Sequence, residues 1–97
     1  MKKLILLLLL IPIVSFGQTD TEYFDSGNDK AEAKDYYGAI SDYTKAIEIN
    51  PNNNEAYMNR GLSKADLNDL TGACADWKKA ASLGYTNSAE WVANQCN

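Results

Sequence analysis

Apolar residues return at three- and four-residue steps through Tyr36, Ile40, Tyr43 and Ile47, and again through Leu70, Ala73, Trp77 and Ala80. That spacing keeps them on one face of an α-helix. Apolar–polar alternation of period two is nearly absent, so the pattern predicts an all-α chain. Polar residues mark the breaks. The run Asn50-Pro51-Asn52-Asn53-Asn54 reads as a turn. Asn52 to Asn54 offer N-cap side chains for a helix starting near Glu55. Gly84 reads as a helix stop. Asn87, with Glu90 three residues later, suggests the cap of a last short helix over Thr86 to Gln95. Ala89, Trp91, Val92 and Ala93 are its candidate packing residues.

Shifting the sequence against itself by 34 residues lays residues 20–53 on 54–87. Identities fall at Tyr23/Tyr57, Gly27/Gly61, Lys30/Lys64, Ala31/Ala65, Asp35/Asp69 and Gly38/Gly72. They continue at Ala39/Ala73, Asp42/Asp76, Lys45/Lys79, Ala46/Ala80 and Asn53/Asn87, with no gap. A period of this length in a helical chain means one helical hairpin per repeat. Each hairpin has an apolar face that only a stacked neighbour can bury.

The repeat resembles the tetratricopeptide (TPR) repeat over nearly all of the chain after residue 19. The family's small and aromatic positions are held by Tyr23, Gly27, Tyr36, Ala39, Tyr43, Ala46 and Pro51 in the first unit. Tyr57, Gly61, Leu70, Ala73, Trp77 and Ala80 hold them in the second, with Tyr85 where proline would stand. Small residues at Gly27/Ala39 and Gly61/Ala73 let two helix axes cross at about 8–10 Å. Tyr43 and Trp77 are the expected plugs between hairpins, and Asp35 and Asp69 the expected caps of each second helix. Ser26, Lys30, Arg60 and Lys64 depart from the apolar preference of their positions, and lysine stems can pack while their charge stays outside. The stretch Trp77 to Ala81 with Gly84 and Ala89 is similar to the Sel1-like variant. The resemblance implies two hairpins, residues 20–53 and 54–87, with residues 86–97 as a C-terminal capping helix.

The resemblance also implies a polypeptide partner on the concave surface formed by each first helix. Its inner positions are Thr21, Phe24, Asp25, Asn28 and Glu32, then Glu55, Met58, Asn59, Leu62 and Asp66. Phe24, Met58 and Leu62 are expected to form an exposed apolar patch, beside Asn28 and Asn59, and such patches mark contact sites. A chain segment or a second copy covering that patch is the other reading. Some TPR domains grip a peptide carboxylate with cations. Here Phe24 and Met58 occupy comparable positions, so an extended or helical peptide with apolar anchors is expected instead.

The first residues are of another kind. Lys2 and Lys3 precede an apolar stretch from Leu4 to Val14, and Ser15 and Gly17 follow at the spacing of a cleavage site. Residues 1–17 therefore read as a secretory signal. A membrane anchor is the rival, but the stretch is well short of the roughly 20 residues a bilayer needs. Removing it leaves seven basic against 13 acidic residues, a net charge of −6. So acidic a chain, without a basic patch, is a poor ligand for nucleic acid.

Export to the periplasm or beyond bears on Cys74 and Cys96. They lie equal distances before and after Tyr85. Two antiparallel helices turning near Tyr85 bring them level, since helical rise is the same on both arms. An oxidising compartment then favours a Cys74–Cys96 disulfide over two free thiols. The chain has no histidine, no Cys-x-x-Cys pair and no glycine-rich phosphate loop. Asp25, Asp29 and Glu32 share a helix face and read as solvated. No catalytic, metal or cofactor site is expected. The sequence points to an exported protein–protein interaction module, with a self-assembling component of the cell envelope as the alternative.

Overall fold

The computed structural model describes residues 18–96. Five helices follow one another: α1 (Asp20–Glu32), α2 (Tyr36–Ile49), α3 (Asn54–Asp66), α4 (Leu70–Ser82) and α5 (Thr86–Gln95). No strand occurs among the described residues. The proposed signal segment, residues 1–17, lies outside them.

Local chemistry sets the helix starts. Thr19 and Glu22 form a reciprocal capping box on α1: the Glu22 amide donates to Thr19 Oγ1 at 3.1 Å, and the Thr19 amide to Glu22 Oε1 at 2.9 Å. Asp35 accepts from the Gly38 amide at 3.0 Å, Asn53 from Ala56 at 3.1 Å, and Asp69 from Gly72 at 2.9 Å. Each takes up one amide that the first helical turn leaves without a partner. The expected Asn87 cap does not form. The N-cap of α5 is Tyr85, two residues earlier, with no side-chain cap bond.

Three helices end alike. The amide of Asp35 donates to Lys30 O, that of Asp69 to Lys64 O, and that of Tyr85 to Ala80 O, at 2.8, 2.8 and 3.0 Å. Paired with the three-residue-span bonds Lys34 to Ala31, Asn68 to Ala65 and Gly84 to Ala81, these are Schellman closures. Such a closure puts one residue in the left-handed region. Here those residues are Lys34 (φ 64°), Asn68 (φ 65°) and Gly84 (φ 100°).

Packing proceeds from neighbour to neighbour: α1 on α2, α2 on α3, α3 on α4 and α4 on α5, with α1 also reaching α3. Ala39, Tyr43, Ala46, Ile47, Ala56, Met58, Ala73, Trp77 and Ala80 form the core. Each large plug also lies across the glycine of its own hairpin. A Cβ on Gly27 would stand 2.7 Å from Tyr43 Cε1, and one on Gly61 2.5 Å from Trp77 Nε1 and 3.1 Å from Ala73 O. The 34-residue match at glycine is therefore steric.

α5 closes the end of the stack. Trp91 lies on Trp77 with centroids 5.1 Å apart, and the buried Ser88 hydroxyl donates to Met58 Sδ at 3.1 Å. Cys74 and Cys96 are joined in a disulfide, Cα to Cα 5.6 Å, which ties α4 to the C-terminal end of α5. No described helix is long and apolar enough to cross a membrane.

Candidate functional site

The residues that depart from the apolar pattern meet inside the hairpins. In the first, Asp42 is 6% exposed. It accepts from the Ser26 hydroxyl at 2.6 Å and pairs with Lys30 Nζ at 3.0 Å. In the second, Asp76 is the equivalent residue. It accepts from Arg60 Nε at 2.8 Å and Nη2 at 2.7 Å, and pairs with Lys64 Nζ at 3.0 Å. Buried carboxylates need such partners. Arg60 also donates through Nη1 to Thr44 Oγ1 at 3.1 Å, which joins the second hairpin to the first. All three cations of α1 and α3 are thereby engaged with buried carboxylates.

Between α1 and α3 runs a groove of about 400 Å³. Asn28, Ala31, Glu32 and Tyr36 line one part, and Asn59, Leu62, Ser63 and Asp66 the other, with Tyr43 among them. Three of the five residues singled out in the sequence, Asn28, Asn59 and Leu62, are brought together here. The other two are not. Met58 is 4% exposed, because α5 lies over it and Ser88 bonds its sulfur. Phe24 is half-buried against Tyr43, with centroids 5.9 Å apart. The expected exposed apolar patch of Phe24, Met58 and Leu62 is therefore absent, and of these three only half-buried Leu62 lines the groove. Ala31, Tyr36, Tyr43 and Ser63 line the groove without having been anticipated there. Tyr43 had read as a plug of the repeat, and nothing in the spacing marks its hydroxyl as reaching a groove.

A chain of hydrogen bonds sets the groove floor. The Tyr43 hydroxyl donates to Asn28 Oδ1 at 2.5 Å, and Asn59 Nδ2 donates to the same oxygen at 3.0 Å. Burial pushes the Tyr43 hydroxyl up to about 12. The Asn59 amide opposes that rise, and the negative charge of Glu32 adds to it. Tyr43 is therefore a neutral donor, and it holds Asn28 in one orientation. Trp77, its counterpart in the second hairpin, has no acceptor for its buried Nε1, because Leu62 stands where the first repeat has Asn28.

A second hollow of about 500 Å³ lies over the disulfide, lined by Leu70, Thr71, Cys74, Ala75, Lys78, Gln95 and Cys96. It is larger but mostly apolar and lacks convergent polar groups to orient a ligand. Among the described residues, no cluster of three or more His, Cys, Asp or Glu side chains could hold a metal ion.

The geometry agrees with comparisons to known proteins. A family model described as the TPR repeat matches residues 27–67. Among solved structures, the chain is similar to the first TPR of Spaghetti (RPAP3) bound to the HSP90 peptide SRMEEVD. The TM-score is 0.70 at 27% sequence identity, over 73% of this chain and 58% of that one. The chain thus spans little more than half the length of that structure. No curated protein matches significantly. Among the described residues the protein is all-helical, with five helices whose fold matches a TPR solenoid.

Proposed function

We propose that the protein is an exported interaction module that binds a polypeptide segment in the groove between α1 and α3. The carrying observation is the groove itself. Two successive first helices bring oriented amides, the apolar side chains of Ala31 and Leu62 and two carboxylates to one concave surface. The likeness to a TPR domain with a bound peptide supports a polypeptide ligand. Export rests on residues 1–17, and the disulfide fits an oxidising compartment. The units 20–53, 54–87 and 86–97 are the proposed repeats and cap. The residues Trp77 to Ala81, with Gly84 and Ala89, give the C-terminal end a Sel1-like character, although the spacing after Gly84 is one residue longer than in that variant. Periplasmic or secreted location is part of the same proposal.

The alternative, self-assembly by stacking of repeats, has less support. α5 covers the apolar end of the second hairpin that such stacking would use. Site-specific photo-crosslinking in cells tests the proposal. A photoreactive residue at Asn59 or Leu62 is expected to trap a polypeptide, and one at the exposed Glu48 of α2 is not. Crosslinks from Glu48 alone would place the partner elsewhere.

A further inference from the structure

The inference rests on the groove being a polypeptide site and concerns what chain it selects. α1 and α3 carry three cations, and each is bound internally: Lys30 to Asp42, and Arg60 and Lys64 to Asp76. No cation of these helices is left to meet an acidic ligand. Their carboxylates are in the opposite situation. Asp25, Asp29, Glu32, Glu55 and Asp66 are all exposed, and none is in an ion pair among the described residues. Glu32 and Asp66 stand at equivalent repeat positions and both line the groove.

The floor adds a second constraint. Asn28 Oδ1 already accepts two hydrogen bonds. Among the described residues, Asn28 Nδ2 and Asn59 Oδ1 have no partner in the protein. They present one donor and one acceptor side by side, the complement of a peptide unit.

We propose that this groove binds an extended cationic segment, with the Asn28–Asn59 pair holding its backbone and Glu32 and Asp66 receiving Lys or Arg side chains. Packed helix axes lie about 8–10 Å apart, and residues two or three apart in an extended chain are separated by about 7–10 Å. The fitting segment therefore carries two cations two or three residues apart. An acidic segment meets like charge at both ends and no cation between.

Selection of a displayed random dodecapeptide library on the purified protein tests this. Recovered clones are expected to be enriched in Lys and Arg at that spacing. The Glu32→Gln/Asp66→Asn variant is expected to weaken the best clone about tenfold, as two partly exposed ion pairs can. Glu48→Gln/Glu90→Gln, which removes the same charge from other surfaces, should leave affinity within about twofold. Clones that lose binding on Asn59→Ala/Leu62→Ser but show no cationic enrichment overturn the charge selection and leave the groove proposal standing. Clones indifferent to both groove variants, or no clones at all, overturn the groove proposal and this inference with it.

Discussion

Arg60 grips Asp76 with two parallel hydrogen bonds, Nε to Oδ2 at 2.8 Å and Nη2 to Oδ1 at 2.7 Å, around a carboxylate that is 3% exposed. The fork geometry suits guanidinium and not ammonium. Arg60→Met leaves the buried charge with Lys64 alone and is expected to cost on the order of 3 kcal/mol. Arg60→Met/Asp76→Leu removes both charges and should recover most of that loss. Urea unfolding followed by far-UV circular dichroism measures both. Equal instability of the single and double variants would show that the pair is not what the site depends on.

Asp42 gives the first hairpin a pH dependence. Burial works against its ionisation, but the Ser26 hydroxyl bond, Lys30 and Lys45 outweigh it and hold the carboxyl below its ordinary 3.8. A depressed native pKa contributes stability above the unfolded value and loses it as pH falls through the native one. Wild type is thus expected to exceed Asp42→Asn by a constant margin from pH 7 to about 5, with the margin shrinking below about pH 4. Urea midpoints at pH 7, 5 and 3 check this. A margin that does not change with pH would remove Asp42 from the acid response.

The three left-handed turn residues form an internal series. Lys34, Asn68 and Gly84 hold equivalent helix ends, and only glycine adopts that conformation without steric cost. Lys34→Gly is expected to stabilise by about 0.5–1 kcal/mol, after allowing for the added freedom of the unfolded chain. Gly84→Ala should destabilise by about 1 kcal/mol. Asn68→Gly should change least, since asparagine tolerates the left-handed region. Thermal midpoints of the three variants give the ranking, and a destabilising Lys34→Gly would contradict it.

The repeat was legible because steric demands recur at fixed spacing: glycine under an aromatic ring, alanine at a helix crossing, aspartate at a cap. The buried ion pairs were not legible, because a charged residue on a helix ordinarily reads as solvated. Asp42/Asp76 and Lys30/Lys64 are identical across the repeat, but so is the exposed pair Lys45/Lys79, so identity alone does not mark a charged position as buried. The groove was only half legible. Asn28, Asn59 and Leu62 follow from the repeat register alone. The burial of Met58 depends on how α5 crosses α3, a non-repeating contact with no second copy in the sequence to reveal it.

The disulfide should govern that last contact. α5 is ten residues long, lacks a side-chain N-cap and packs only on α4 among the main helix pairings. A helix this short is marginal by itself in water. Cys74–Cys96 closes a sequence separation of 22 residues, for which chain entropy alone is worth about 3 kcal/mol. In Cys74→Ala/Cys96→Ala, α5 is expected to detach before the hairpins unfold. Trp91 would then leave Trp77, and water would reach Met58 and the Trp77 indole. Tryptophan emission should shift to the red, and amides of α5 should exchange with solvent faster by about a hundredfold, the equivalent of about 3 kcal/mol at local opening. Amides of α2 and α3 should keep most of their protection. If α5 exchanges together with α2 and α3 in both proteins, the cap is part of one cooperative unit and the disulfide stabilises the whole fold, not this helix alone.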